Sequence, residues 1–277
     1  MKKVEKMCLD AERALYGERS LLVEECRFEG PADGESALKE CKDIEARRCL
    51  FDLRYPFWHD TGVLLADSEM TPSCRAPFWY SRNVLVEKTR LHGDKAFREC
   101  KNVTLRACDV RSLEFGWSVD GLTLEETHAV GEYFLLRSER VRIKDLTFQG
   151  KYSFQYVKDA VIENSVLDTK DAFWHAEGVT VRDSVIKGEY LGWYSKNLTL
   201  VRCKIIGTQP LCYAEGLRLI DCEMEETDLA FERSSVRASI KSPVLSIKNP
   251  RRGKITLPAV GEIIRDEKWA KGKVIIT

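Results

Sequence analysis

The sequence predicts an all-β fold, a single-stranded right-handed parallel β-helix (solenoid) of about 12 coils, with terminal caps. Three observations lead to it. A short apolar pattern recurs at a period of nineteen, corner-forming residues bracket each recurrence, and no stretch of helical periodicity inside the repeat is long enough for a helix. A unit this short cannot bury its own apolar side, so consecutive units must stack on one another.

The repeat is visible as an alternating apolar segment. Residues 179–186 (VTVRDSVI) return as 198–205 (LTLVRCKI) and 217–224 (LRLIDCEM). We number each coil from the first apolar residue as offset zero. The spacing of successive offset-zero positions varies over the first four coils and is then constant at nineteen through to the last. They are Leu21, Ile44, Val63, Val84, Val103, Leu122, Val141, Ala160, Val179, Leu198, Leu217 and Val236.

Corners separate the predicted strands of each coil. Gly or Asn frequently precedes offset zero, and a second glycine column lies at offset nine; both residue types tolerate positive φ. A leucine-rich repeat would need a large apolar residue three positions upstream, where this chain has mostly Ser, Cys and Ala. A left-handed hexapeptide helix is disfavoured because nineteen is not a multiple of six. The β-helix is therefore the preferred interpretation.

Two columns of equivalent residues have structural interpretations. Offset five holds half of the ten cysteines, and because no CxxC spacing occurs we interpret them as small inward side chains rather than a metal or redox site. Offset three alternates in sign and predicts a ladder of opposite charges that helps to fix the stacking register. The ladder consists of Glu87, Arg106, Glu125, Lys144, Glu163 and Arg182.

Offsets 11 to 15 are predicted to form a third strand that carries the informative chemistry. With period two, offsets 12 and 14 point inwards and offsets 11, 13 and 15 point outwards. Offset 14 then places large rings in the core, although it also places Arg98 and Gln155 there. The rings at offset 14 are Trp58, Trp117, Trp174, Trp193 and Phe231.

The outward side of this third strand is the candidate site. Aromatic faces beside carboxylate, amide and imidazole groups suit a carbohydrate-like ligand. The predicted ligand-binding residues are Tyr152, Tyr156, Tyr190, Tyr194, Gln209, Tyr213, Glu189 and Lys170. Asp171 and His175 are the candidate catalytic residues, and Glu189 is expected to pair with Lys170. The same face could instead be a homo-oligomer contact or be covered by the chain's own terminal segments.

An enzyme, a polysaccharide lyase or a glycoside hydrolase, is the third possibility. Glycosidases need two carboxyl groups about 5–9.5 Å apart, whereas the outward carboxylates of this face stand three coils from each other. No Ser-His-Asp constellation, phosphate-binding glycine loop or HExxH is present, and no cofactor or metal is predicted.

Charge and composition bound the partners and the compartment. The 277 residues include 44 Lys plus Arg and 44 Asp plus Glu, so the formal net charge is zero and neither nucleic acid nor a membrane is the expected partner. Ten cysteines with no secretory signal indicate free thiols and a cytoplasmic location. Residues 1–14 are predicted to form an N-terminal cap, 15–240 the β-helix, and 241–277 a C-terminal cap or flanking strands.

Several segments between about 15 and 265 resemble a bacterial family of uncharacterised proteins, a domain-of-unknown-function family. They are DGESALKE (33–40), RYPFW (54–58), RAPFWY (75–80), KYSFQY (151–156), KDAFWHAEGVTV (170–181), GEYLGWYSKNLTL (188–200), QPLCYAEGL (209–217), TDLAFERS (227–234) and IKNPRRGKI (247–255). The resemblance implies a pectin-lyase-like right-handed β-helix and no particular activity. Polygalacturonases share that superfold but carry clustered aspartates and a Gly-His-Gly that are absent here.

Overall fold

A computed structural model describes all residues from 1 to 277 and consists of strands and turns without an α-helix. The all-β right-handed parallel solenoid predicted from the repeat is confirmed. Two compact units are distinguished, Met1–Arg140 and Val141–Thr277, and each is a stack of coils.

The first unit contains fifteen strands. They are β1 (Lys2–Glu5), β2 (Arg19–Glu24), β3 (Arg27–Phe28), β4 (Lys42–Arg47), β5 (Leu50–Phe51), β6 (Thr61–Ala66), β7 (Glu69–Met70), β8 (Arg82–Glu87), β9 (Arg90–Leu91), β10 (Lys101–Arg106), β11 (Asp109–Arg111), β12 (Glu114–Phe115), β13 (Asp120–Glu125), β14 (His128–Gly131) and β15 (Tyr133–Phe134). The division between the units falls within the next strand, β16 (Glu139–Lys144).

The second unit continues the same alternation of strands and corners. Its strands are β17 (Thr147–Lys151), β18 (Lys158–Glu163), β19 (Val166–Lys170), β20 (Glu177–Arg182), β21 (Val185–Lys187), β22 (Thr199–Val201), β23 (Lys204–Ile206), β24 (Leu217–Glu225), β25 (Ser235–Ile240), β26 (Val244–Lys248), β27 (Arg252–Leu257), β28 (Val260–Ile264) and β29 (Lys273–Ile276).

Parallel pairing places equivalent residues of successive coils over one another. Ala160 pairs with Val179, and Thr180 pairs with Thr199, which in turn pairs with Arg218. Each of these steps equals the spacing of the sequence repeat. The repeat therefore gives the register of the sheet correctly, because parallel strands need only equal lengths of chain per coil to stay aligned.

The stack also extends where the sequence period is lost. The partner of Val236 at offset zero is Gly253, which comes earlier in the chain than the repeat would place it. Lys254 then pairs with Lys273, and the regular spacing returns. At the N-terminal end Lys2 pairs with Leu21. The strands β1, β27 and β29 thus pair in parallel as the repeats of their own units do.

The offset-five cysteines lie inside the coils. Cys203 and Cys222 are buried, and each thiol lies 3.4 Å from a backbone carbonyl oxygen of the coil before it, Val181 O and Leu200 O. All ten cysteines are free, and no group of three or more His, Cys, Asp or Glu side chains is arranged to hold a metal ion. These thiols act as small packing groups at a bend.

The alternating charges at offset three form the predicted ladder except at Lys144, which has no carboxylate within 4.0 Å. Arg106 lies 2.8 Å from Glu125 on one side and 3.4 Å from Glu87 on the other, and Arg182 lies 3.3 Å from Glu163. All of these side chains are exposed enough for each pair to contribute little to the free energy of folding. Their main consequence is for register, since a slip of one coil would bring like charges together.

The predicted third strand is wrong for most coils. Among the coils of regular length only β12 and β15 are extended there, and elsewhere offsets 11 to 15 are mostly turns. In the four consecutive coils that start at Val141, Ala160, Val179 and Leu198, every second residue of this stretch has positive φ. In one coil these are Asp171, Phe173 and His175, with φ of 57°, 59° and 54°. We call this side of the solenoid, offsets 11 to 15, the turn face.

The inward and outward assignments on the turn face are therefore also wrong at two offsets. Offset 13, predicted to face outwards, carries fully buried Phe154, Phe173 and Leu211. Offset 14, predicted to face inwards, carries Trp174 and Trp193, which are only half-buried on the outer surface, whereas Phe231 at the same offset is fully buried as predicted. Alternating handedness of the backbone turns two consecutive side chains, offsets 12 and 13, towards the core, which an extended strand cannot do.

Candidate functional site

A column of indoles lies on the outer surface of the turn face. Trp174 and Trp193 stack with ring centroids 5.5 Å apart and planes within 5°. Each indole N–H donates to a backbone carbonyl oxygen of the next coil, on Tyr190 and Gln209 respectively, at 2.8 Å. Gln155 occupies the equivalent position one coil earlier and donates its amide N–H to the Asp171 carbonyl oxygen at 3.2 Å.

This hydrogen bond explains why Gln155 occurs at a position otherwise suited to Trp. Both Gln and Trp present an N–H group that reaches a backbone carbonyl oxygen of the next coil. Contacts between coils in this column therefore depend on the hydrogen-bond donor as well as on the area of the ring. Arg98 is accommodated in a related way in the first unit, with its guanidinium 4.9 Å from the Trp79 ring centre and 5.1 Å from that of Trp117. A strand of period two would place Arg98 and Gln155 in the core, but both side chains are only half-buried.

A second, more exposed column forms what we call the ring ladder: Tyr156, His175, Tyr194 and Tyr213. Successive ring centroids are 4.8, 5.0 and 5.0 Å apart, and neighbouring planes lie within 13° of each other. The spacing is the rise of one coil, because each ring comes from the same position, offset 15, of consecutive coils. Four of the predicted site residues are thus brought into one continuous line.

The geometry of the ring ladder decides which contacts it can offer. His175 and Tyr194 have a ring on each face, and the guanidinium of Arg233 lies 6.0 Å from the centre of the Tyr213 ring. A sugar ring therefore has no free aromatic face to stack on at these three positions. What remains accessible is the outer edge with its hydroxyl and imidazole groups, and Tyr156 and Tyr194 are 42% and 43% exposed.

Arg233 follows Tyr213 in this line of contacts, and sequence reasoning did not find it. Its guanidinium lies 5.4 Å from the centre of the Trp269 ring and donates a hydrogen bond of 2.9 Å to Glu267. Arg233 stands at offset 16 of the last coil of regular length, one position beyond the column of Tyr213, and Trp269 follows after the regular spacing has been lost. No column in the sequence therefore aligned them with Tyr213.

The Lys170–Glu189 ion pair predicted from the sequence is present. The ammonium nitrogen lies 2.8 Å from the Glu189 carboxylate, and this hydrogen bond raises the pKa of Lys170. The same ammonium lies 5.3 Å from the centre of the Tyr190 ring, a cation–π contact. The Lys170 ammonium group is therefore paired with both Glu189 and Tyr190, on the side of the turn face away from the ring ladder.

Asp171, predicted to face outwards, is buried. Its side chain is only 6% exposed, and burial raises the pKa of its carboxyl group, an effect that Lys170 opposes and Glu189 reinforces. No hydrogen bond or ion pair joins Asp171 to His175, whose exposed ring is stacked between those of Tyr156 and Tyr194. The catalytic assignment of these two residues stays a prediction with no shared geometry to carry it.

The remaining predicted residues lie beside the two columns. Tyr152 is half-buried and lies under the Lys151 ammonium, 5.4 Å from the ring centre. Gln209 is also half-buried and takes part through its backbone carbonyl. Burial and the nearby Glu232 carboxylate raise the pKa of Tyr213, whose hydroxyl lies 3.4 Å from Glu232.

Fold and surface together define the class of protein: a right-handed β-solenoid whose turn face carries columns of stacked rings. The chain belongs to the family described as protein of unknown function (DUF3737), whose pattern matches residues 2–277. No curated protein sequence matches it. The structure contains no helix of the length and apolarity that a membrane span requires.

Among the solved structures similar to this chain are PfbA and HetL. PfbA, a surface adhesin of Streptococcus pneumoniae, matches with a TM-score of 0.50 and 10% identity over 88% of this chain and 80% of that one. HetL, a pentapeptide repeat protein from the cyanobacterium Nostoc, matches with a TM-score of 0.36 and 11% identity over 80% of this chain and 92% of that one. At 10% identity the likeness to PfbA concerns the fold alone.

Proposed function

We propose that this protein is a binding protein for an extended carbohydrate-like ligand, held along the outer edge of the ring ladder. The observation that carries the proposal is the row of polar ring edges at one coil rise, with ring centroids 4.8–5.0 Å apart. Phenol hydroxyls and an imidazole can each donate or accept a hydrogen bond, as sugar hydroxyls do. A ligand with hydroxyl groups repeating along its length fits such a row.

Stacking makes the row suitable for binding because it fixes the rings before a ligand arrives. His175 and Tyr194 are each held between two neighbours, so little side-chain freedom is lost when their edges take up a ligand. The contact would consist of hydrogen bonds to ring edges and not of sugar rings on aromatic faces, which differs from the stacking expected from the sequence.

Removing the hydroxyls of the two most exposed tyrosines of the ring ladder is the direct test of this proposal. The double variant Tyr156→Phe/Tyr194→Phe keeps both rings and the stack, and we expect it to bind neutral linear oligosaccharides roughly tenfold more weakly, since each net hydrogen bond contributes about 0.5–1.5 kcal/mol. Its melting temperature should stay that of the wild type. Glycan-array screening followed by titration calorimetry on the positive glycans measures the change.

Tyr80→Phe is the matched control. Tyr80 stacks on His59 at 4.8 Å in the first unit, in the same kind of ring pair but outside the ring ladder. Equal losses in the control and the double variant, or no glycan bound by the wild type, would contradict the proposal. Light scattering that shows an assembly of copies abolished only in the double variant would instead assign the ladder to homo-oligomerisation, and the proposal would be wrong.

A further inference from the structure

Four cations stand in one column at the C-terminal end of the second unit. Arg218 pairs in register with Arg237, Arg237 with Lys254, and Lys254 with Lys273, on strands β24, β25, β27 and β29. All four side chains are exposed. We call these four residues the cation column.

The cation column has no compensating carboxylates. None of its four members lies within 4.0 Å of an acidic group, in contrast to Arg106 and Arg182 of the charge ladder. Nearby carboxylates are already engaged: Asp221 accepts a hydrogen bond from Ser239 at 2.9 Å and lies 3.9 Å from Lys241, and Glu215 lies 3.8 Å from Arg251. Like charges directly opposite on neighbouring strands, about 4.8 Å apart, destabilise a sheet.

A groove runs beside the column and leaves its guanidinium groups accessible. It has a volume of about 490 Å³ and is lined by Arg218, Arg237 and Arg252, with Gly216, Ser235 and Gly253 among the other lining residues. The glycines and the serine have small or no side chains, and three arginines line the same groove. An anionic group that enters the groove can therefore approach these arginines. Arginine presents a planar fork of donors that matches the geometry of a carboxylate or a sulfate.

The column continues upstream with hydroxyl groups. Thr180 and Thr199 pair with each other, and Thr199 pairs with Arg218, so two hydroxyls precede the four charges in the same line. Six consecutive donors at intervals of about 4.8 Å form a linear array that a chain molecule can follow. The neighbouring outward column adds two more hydroxyls, since Ser239 pairs with Thr256.

We propose that the cation column and its groove bind a linear acidic polysaccharide, with its carboxylate or sulfate groups on Arg218, Arg237, Lys254 and Lys273. A polysaccharide carries its charges one sugar apart, a distance of the order of the coil rise, whereas duplex DNA presents one charge per about 1.7 Å of its axis. Single-stranded nucleic acid binds on exposed aromatic platforms, and neither this column nor the one beside it contains an aromatic residue.

This site is separate from the ring ladder, since the column lies on the strand side of the coil and the ladder on the turn face. The formal net charge of zero gives no sign of the cation column, because the excess of positive charge there is local and is balanced by acidic residues elsewhere in the chain. An acidic polymer would relieve the repulsion within the column, so the unliganded protein is less stable than it would be without this binding surface.

The test replaces two arginines by the residue that the same column uses upstream. The double variant Arg218→Thr/Arg237→Thr is expected to bind polygalacturonate, which carries carboxylates, or heparin, which carries sulfates, about tenfold more weakly than the wild type. Binding by the wild type should weaken as sodium chloride is raised, because exposed charges are screened. Neutral dextran serves as the uncharged polymer, and titration with each polymer shows which anionic group is preferred.

Arg142→Thr/Arg182→Thr is the matched control, with the same change in net charge in the same unit but at arginines that already face Asp159 and Glu163. We expect the control to retain binding of the acidic polymer with a melting temperature close to that of the wild type, because exposed ion pairs contribute little. The test variant is expected to lose binding and gain thermal stability. Binding of neutral glycans at the ring ladder should be unchanged in the test variant, which separates failure of the two proposals.

Several outcomes would overturn the inference. These are the absence of binding to both acidic polysaccharides, an equal loss in the test variant and the control, or tighter binding to poly(dT) or to phosphatidylserine vesicles than to either polysaccharide. A test variant whose melting temperature falls would also contradict it, because the column would then contribute to folding instead of opposing it.

Discussion

Replacing Asp60 by Ser is expected to stabilise the protein increasingly as the pH is raised from about 4 to about 8. Asp60 is 1% exposed; its Oδ1 accepts the Cys41 N–H at 2.8 Å, and its Oδ2 has no hydrogen-bond partner. Burial raises the pKa of this carboxyl group to about 8. The folded chain therefore retains a proton that the unfolded chain releases above pH 4, and stability falls through that interval.

The size of the effect follows from the pKa difference. A rise from about 4 to about 8 corresponds to about 5 kcal/mol of stability lost between those pH values, at about 1.4 kcal/mol per pKa unit. Below pH 4 the group is protonated in both states and carries no such penalty. Urea unfolding of wild type and variant at pH 5, 6.5 and 8 measures the gap between them, which we expect to widen with pH.

Ser is chosen because a serine, Ser81, occupies the equivalent position of the next coil. Ser81 stands one coil above Asp60 and accepts the Asp60 N–H through its hydroxyl oxygen at 3.1 Å, so a serine at 60 can serve Cys41 in the same way. Asp60→Asn is the companion variant, which keeps the shape and removes the charge. Should both variants show the same dependence of unfolding free energy on pH as the wild type, the burial of an ionisable Asp60 would not be the cause.

Replacing Phe78 by Ala is expected to cost about 3–5 kcal/mol of folding free energy, the usual range for removing a buried aromatic ring. Phe78 is fully buried on the inner side of the turn face. Its ring lies between those of Phe57 and Phe97, at 5.0 and 4.8 Å with planes within 7°. The cavity would break a continuous stack in which each coil supplies one ring to the next. Chemical denaturation of the variant at neutral pH gives the loss directly.

Tyr80→Ala in the same turn is the control for this variant. Tyr80 stacks on His59 at a similar distance of 4.8 Å but lies on the outer surface and is only half-buried. We expect a loss of about 1 kcal/mol, the contribution of an aromatic pair without a core cavity. A loss at Tyr80 as large as that at Phe78 would show that the outer columns hold the coils together as strongly as the core does.

The candidate site was predictable in part, because columns follow from spacing alone. Tyr156, His175, Tyr194 and Tyr213 share offset 15, and equal coil lengths suffice to stack them. The Lys170–Glu189 pair was predictable for the same reason. The spacing could not predict the orientation of each ring. Because the rings stack face to face, only their edges are accessible to a ligand.

The sequence by itself determined the solenoid, its strand register and its charge ladder, because each depends only on how much chain one coil consumes. The tertiary structure alone decided two further features. Backbone of alternating handedness on the turn face set which side chains of offsets 11 to 15 are buried, since period two holds only for extended chain. A coil shorter than the repeat, between Arg237 and Lys254, aligned the cation column, which no fixed period could reveal.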